Sequence, residues 1–327
     1  MRVGFIGLGN VGSKLAGSLL RNGFDLVVRD LDRSAAAALE SAGAGWAGSP
    51  AEMAATAEVV ITCLPSPAAS AAVMEADDGI LAGLAARPDR GDEAEPVIWA
   101  EMSTTDDAEV RRLAVLVAAA GGAAMDCPVS GGCHRAATGN ISIFAGCDRQ
   151  TFEQALPVLT AMGRDVLHAG PIGSASILKV VTNYLATANL VSLCEALVTS
   201  KQAGIDLNTA YEAIRISSGN SFVHETESQV ILNGSRDINF TLDLVQKDLS
   251  LFAAVAERAG VPLELLPVLI EIFDDAAARY GSREWSPNVV RRLEEAVGTS
   301  VLAPGFPAQM VDDEPEVPGR EVIVSRG

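Results

Sequence analysis

The stretch VGFIGLGNVGSKLAGSLL, residues 3–20, decides the fold. An apolar run of strand type, Val3 to Ile6, passes directly into Gly7-Leu8-Gly9-Asn10-Val11-Gly12, and a helix-compatible pattern continues through Leu19 and Leu20. In a strand–loop–helix junction of this kind the first glycine permits a tight turn, the second lets a pyrophosphate approach the backbone, and the third lets helix pack on strand. The amide groups at the helix N-terminus then face the anion. Glycine-rich turns are common, so the weight of GxGxxG lies in its position between strand and helix. The next strand ends at Arg29-Asp30, with Asp30 placed 18 residues after Gly12, close to the ~20 expected of an acidic residue that binds the adenosine ribose. A carboxylate there repels a 2'-phosphate, which favours NAD. Arg29 and Arg33 lie nearby and keep NADP open, and a turn or cap role for Asp30 is the plainer alternative.

Outward from this junction, strand-like runs recur at Leu26 to Val28, Val59 to Leu64 and Val97 to Met102, separated by Ala-rich helical segments such as Ser34 to Ala42. Further runs follow at Ala123 to Val129, Ile141 to Ala145 and Val166 to Ala169. The alternation predicts an α/β domain, a doubly wound parallel sheet of Rossmann type, over residues 1–170. The charged segment Arg87 to Pro96 reads as a solvated loop. Beyond Gly170 the chain turns almost wholly helical. Ser174 to Ala203 contains no Pro or Gly and is apolar nearly all round, which predicts one long buried helix; Lys179, Asn183, Asn189 and Glu195 make a membrane span the weaker reading. Helices are also expected over Leu242 to Arg258, Leu263 to Tyr280 and Asn288 to Val297, giving an all-helical domain over residues 171–302. Residues 303–327, with four prolines and Asp312, Asp313, Glu314 and Glu316, read as a mobile acidic tail in which Glu321 to Val324 is a candidate edge strand.

A length of 327 residues suits two domains. Hydrophobic residues make up 49% and charged residues 20%, the usage of a globular protein. A formal charge of −18 argues against nucleic acid and anionic membrane surfaces as partners, because phosphate binding runs on Lys and Arg. The early apolar run is broken by glycines and does not resemble a secretory leader. Cys63, Cys127, Cys133, Cys147 and Cys194 form no CxxC and no ligand pattern, and His134, His168 and His224 are scattered, so reduced packing thiols, a cytoplasmic setting and no metal are expected.

Candidate chemistry lies in four places. The third and fourth strands end in Leu64-Pro65 and Ser103-Thr104-Thr105, where an open sheet places its ligand; plain turns are the alternative. Asp126-Cys127-Pro128-Val129-Ser130-Gly131-Gly132 joins a strand to a polar turn whose hydroxyl and amides suit a carboxylate. Lys179 and Asn183 stand four residues apart on one helical face. A lysine in an apolar helix is expensive without a role, since burial disfavours its charged form, and that suits a general base.

Taken together, GLGNVG at the start, DCPVSGG at 126–132, the glycine-to-lysine segment Gly173 to Lys179 with Asn183, and Lys247-Asp248 resemble the 3-hydroxyacid dehydrogenase family, which includes 3-hydroxyisobutyrate dehydrogenase and tartronate semialdehyde reductase and is related to 6-phosphogluconate dehydrogenase. The resemblance spans roughly residues 1–300. It implies a Rossmann domain, a helical domain that dimerises around the long helix, and an active site between them. Lys179 would be the acid/base; Ser130, Gly131, Gly132 and Asn183 would hold the substrate carboxylate and hydroxyl; Lys247 would lie beside nicotinamide and substrate; Leu64, Pro65 and Thr104 would join residues 7–12 and Asp30 on the cofactor. The chain departs from the pattern at Thr182, where Asn is frequent, and at Val11, where Met is usual. Arg135 is a candidate for a second acidic group on the substrate, with a surface role as the alternative. The expected activity is hydride transfer between a small 3-hydroxy acid and NAD. The competing readings are an NADPH-dependent imine or ketone reductase of the same fold, disfavoured by Lys179 with Ser130, and a non-catalytic nucleotide-binding scaffold, disfavoured by an intact Lys179. A homodimer or larger homo-oligomer and a carboxylate-bearing substrate are the expected partners.

Overall fold

A computed structural model describes residues 1–88 and 95–325, so most of the loop expected over residues 87–96 lies outside the described residues. Among the described residues ten strands form one sheet: β1 (Arg2–Ile6), β2 (Asp25–Arg29), β3 (Gly45–Trp46), β4 (Val59–Thr62), β5 (Ile98–Glu101), β6 (Ala123–Asp126), β7 (Val129–Ser130), β8 (Ile141–Gly146), β9 (Gly163–Gly170) and β10 (Arg320–Glu321). Their order is β10-β9-β8-β6-β5-β4-β1-β2-β3, with β7 also paired to β8. The pairings are parallel except where β8 runs against β6 and β7. The helices of this part are α1 (Gly12–Arg21), α2 (Ala37–Ser41), α3 (Pro50–Thr56), α4 (Pro67–Glu75), α5 (Ile80–Ala85), α6 (Asp107–Ala119), α7 (Gly132–Ala137) and α8 (Arg149–Met162).

Successive strand residues feed two different cores, which is what a sheet covered on both faces requires. Phe5, Val28, Ile61 and Ile98 pack with Leu15 and Leu19 of α1 and with Phe152 and Leu159 of α8. Ile6, Val27, Val60 and Trp99 pack instead with Met53 of α3, Leu84 of α5 and Leu113 and Val117 of α6. The strands are therefore apolar on both faces and read as the near-continuous runs seen in the sequence. Two-residue β3 gave no such run and escaped that reading.

The remaining helices are α9 (Ser174–Gln202), α10 (Leu207–Arg215), α11 (Phe222–Asn233), α12 (Leu242–Arg258), α13 (Leu265–Tyr280) and α14 (Arg291–Val297). Contacts divide the chain into two compact units, Met1–Lys179 with Asp312–Gly327, and Val180–Val311. The second unit has its own core, in which Leu242, Val245, Leu249 and Phe252 form a helical stripe on α12 that packs with Leu269 and Phe273 of α13 and Leu197 of α9.

Two expectations differ from what is observed. Residues 312–325 are not a loose tail: they run along the first unit, Asn140 and Arg164 bond to Asp312 and Glu314, and β10 joins the sheet edge in parallel with β9. Nor is α9 buried all round, for about a third of its most apolar segment is covered, and Leu185 is 54% exposed. By length and composition α9 passes as a membrane span, but core helices pass the same test.

Candidate active site

The glycine-rich loop is built as its sequence demands. Gly7 has φ +99°, and a Cβ there would stand 2.2 Å from the Cys63 carbonyl oxygen. At Gly12 a Cβ would fall 2.0 Å from the Gly7 carbonyl oxygen, so the loop closes only without one. Around Gly9, by contrast, a Cβ would meet nothing within 4 Å, which leaves the open side that a pyrophosphate needs. The α1 N-terminus carries no side-chain cap. Gly7 N–H donates to Arg29 and Leu8 N–H to Asp30 Oδ2 at 2.6 Å, whereas among the described residues the amides of Gly9 and Asn10 have no protein acceptor. An uncapped helix end with spare amides fits a dinucleotide's phosphates.

Asp30 thus fastens the loop as well as standing at the end of β2, and its other oxygen accepts from Asp32 N–H at 2.9 Å. The neighbouring arginines are engaged elsewhere: Arg29 donates to the Ala47 and Gly48 carbonyls, and Arg33 pairs with Glu40 while lying 4.1 Å over the Trp46 ring. Leu64 and Thr104 follow the adjacent strands β4 and β5, and Leu64 N–H donates to the Ser103 hydroxyl at 2.7 Å. Pro65 continues that turn into α4, which Ser66 caps.

Glu101, at the end of β5, is a feature the sequence reading passed over. Its carboxyl is fully buried, Oε1 accepts from Ser103 N–H at 2.9 Å, and burial pushes its pKa above the usual carboxylate range. The only signal was an acid closing an apolar strand.

Ser130 ends β7, and Gly131 and Gly132 follow with φ +129° and +85°. This left-handed pair turns the chain into α7 without a side-chain cap, leaving backbone amides at the turn. Four residues upstream of Ser130, the fully buried Asp126 accepts from Gly173 N–H at 2.7 Å and Ser176 N–H at 2.6 Å. It thereby fixes the first turn of α9. Burial pushes its pKa up, and those two amides pull it back. Lys179 sits one turn further along and is 8% exposed.

In the second unit Asn183 donates through its side-chain amide to Asp248 Oδ2 at 2.5 Å, and Lys247 Nζ lies 2.9 Å from Asp248 Oδ1. The buried Asp248 therefore joins the two side chains singled out there, and the sequence reading gave it no role. The five cysteines are free; burial lifts the Cys63 thiol to about 12 and Cys127 well above its ordinary value, which removes both as nucleophiles. No cluster suited to a metal occurs among the described residues.

Comparison with known proteins places the chain in a family. Residues 2–170 match the family described as the NAD binding domain of 6-phosphogluconate dehydrogenase, and residues 173–293 match that described as the NAD-binding of NADP-dependent 3-hydroxyisobutyrate dehydrogenase. The 2-(hydroxymethyl)glutarate dehydrogenase of Eubacterium barkeri is 31% identical over 302 residues, 92% of this chain and 97% of its own. The NAD-dependent L-serine dehydrogenase of Pseudomonas aeruginosa is 34% identical over 271 residues, 80% of this chain and 88% of its own. Among solved structures, 3-hydroxyisobutyrate dehydrogenase from Salmonella typhimurium superposes with TM-score 0.78 at 27% identity, covering 89% of this chain and 99% of that one.

A Rossmann sheet carrying a dinucleotide loop, followed by a helical unit, defines an NAD(P)-dependent oxidoreductase. The two family matches and the curated relatives make the assignment finer. The chain belongs to the 3-hydroxyacid dehydrogenase family.

Proposed function

We propose that this protein oxidises the hydroxyl of a small, 3-hydroxyisobutyrate-like hydroxy acid with NAD, Lys179 exchanging the proton. The observation that carries the reading is Lys179 itself: a lysine kept 8% exposed on an apolar helix whose first turn is pinned by a buried carboxylate. An amine at that place on the helix is the group of this segment suited to exchange a proton as a general acid and base does.

The bound nicotinamide cofactor supplies the hydride acceptor. The loop Gly7, Leu8, Gly9, Asn10, Val11 and Gly12 holds its phosphates, with the amides of Gly9 and Asn10 facing them while those of Gly7 and Leu8 fasten the loop; Asp30 takes the ribose, and Leu64, Pro65 and Thr104 border the nicotinamide half. Ser130, Gly131 and Gly132 receive the substrate carboxylate through a hydroxyl and backbone amides. Asn183 orients the reacting hydroxyl, its amide held by Asp248, and Lys247 contributes to both substrate and cofactor. Neutral Lys179 removes the hydroxyl proton as the carbinol carbon is oxidised, and returns it in the reverse direction. NAD is preferred because Asp30 meets the ribose while Arg29 and Arg33 are engaged with the Ala47 and Gly48 carbonyls and with Glu40. An imine reductase reading is weaker, since it leaves Ser130 and the Asn183–Asp248 pair without a carboxylate and hydroxyl to hold. We assign the enzyme to the cytoplasm, in keeping with five free cysteines.

The test is to screen 3-hydroxyisobutyrate, 3-hydroxypropionate, glycerate, threonate, 4-hydroxybutyrate and L-serine with NAD and with NADP, and to repeat the best pair with Lys179→Ala. Turnover by the variant should fall ~100-fold or more, the usual contribution of acid–base catalysis. Wild-type turnover in that variant overturns the assignment.

A further inference from the structure

Neither family match extends past residue 293, yet residues 312–325 return to the first unit and are held there by a row of carboxylates. Asp312 accepts from the Thr138 hydroxyl and from the Asn140 amide at 2.7 Å. The Glu314 carbonyl accepts from the same amide at 2.9 Å, its carboxylate pairs with Arg164, and Arg135 stands 3.9 Å away. Glu316 accepts from Arg21 at 3.2 Å and Asn22 at 3.1 Å and lies against Gly139. Residues 138, 139 and 140 are the exit of α7, and Arg21 and Asn22 are the end of α1. The strap therefore grips the rear ends of two helices whose front ends face the proposed carboxylate turn and the dinucleotide loop.

These two helices are not equally secure. Leu15, Ala16 and Leu19 bury α1 in the sheet core. By comparison α7 has six residues and no N-cap side chain, and it begins from two consecutive left-handed glycines. A turn of that kind has little hold on its own conformation. Cys133 and Ala136 seat one side of α7 in the core, and its far end is held as well: Arg21 donates to the Ala137 carbonyl at 2.9 Å, and the strap takes Thr138, Gly139 and Asn140 in succession.

We propose that Asp312, Glu314 and Glu316 are positioning residues for the Ser130–Gly132 turn, acting through α7. This rests on the reading that the turn receives the substrate carboxylate. Exposed ion pairs are individually weak. Asp312 is the chief member because the buried Asn140 depends on it. Arg135, held towards the strap by Glu314, serves the same clamp rather than a second acidic group on the substrate.

The test compares wild type with Asp312→Ala, Glu316→Gln and the exposed control Asp313→Asn, using the best hydroxy acid of the panel above with NAD, with hydrogen exchange read over residues 130–140. For Asp312→Ala the KM for the hydroxy acid should rise ~5-fold or more, with kcat within ~2-fold and NAD affinity by titration unchanged, because α1 keeps its core. Exchange at the turn should quicken. Glu316→Gln should show the same pattern at smaller amplitude and Asp313→Asn none of it. An active wild type whose KM stays constant in Asp312→Ala overturns the positioning role, whatever the exchange shows. A wild type inactive on every hydroxy acid in the panel overturns instead the reading of the turn on which the role rests.

Discussion

Glu227 shows how a single side chain sets a pH response. It lies on α11, burial pushes its carboxyl up to about 8, and the Ser286 hydroxyl eases this only in part. The folded protein therefore holds a proton that the unfolded chain releases near pH 4.5, so stability falls as pH rises from there through about 8. Glu227→Gln should melt with wild type at pH 5 and above it at pH 9, by calorimetry; equal melting temperatures at pH 9 would sink the argument. At this scale the sequence revealed residues whose spacing is local. Gly7, Gly9, Gly12 and Asp30 announce themselves by position relative to one strand and one helix, and Lys179 by its incongruity in an apolar run. Glu101 and the partnership of Asn183 with Asp248 depend on which strand ends and helix faces meet across long separations, and no local pattern carries that information.

Among the elements, α9 starts from a single buried carboxylate. Its first turn hangs from Asp126, which is fully buried and accepts two backbone amides. Asp126→Asn can accept one of them and must turn an amide group towards the other. Leaving a buried donor unpaired costs about 1–3 kcal/mol. We expect a lower melting temperature and a kcat reduced ~10-fold or more from a displaced Lys179, while NAD affinity measured by titration is retained. Retained kcat would detach the pin from the chemistry. Long elements were legible because many residues vote together: the α12 reading, Leu242 to Arg258, agrees with the helix residue for residue. Helices α10 and α11 went unread although Asp206 and Ser221 cap them, for their caps are single residues and their polar stretches resemble loops. Residues 286–297 form a 3-10 turn followed by α14, where one helix from Asn288 was expected.

For the molecule as a whole, the homo-oligomer expected from the sequence can be tested on α9, an apolar helix that leaves Leu185 54% exposed. We expect light scattering to give at least twice the chain mass of 33.9 kDa, and Leu185→Glu to shift it towards the monomer. A wild-type monomer at micromolar concentration would contradict this. The proline- and acid-rich composition of residues 303–327 pointed to a mobile tail because composition reports on solvation, not on whether Arg21, Arg149 and Arg164 wait on another part of the chain. The strap also makes the first unit discontinuous, since residues 312–325 complete a layer begun at residue 1. On the ribosome, the nucleotide-binding half therefore emerges unfinished, the outer edge of β9 unpaired and the Asn140 amide lacking its acceptors, until all of Val180–Val311 has been synthesised. A fragment ending at Lys179 would be born with that exposed edge and never lose it, so maturation of this half is tied to residues translated well after it.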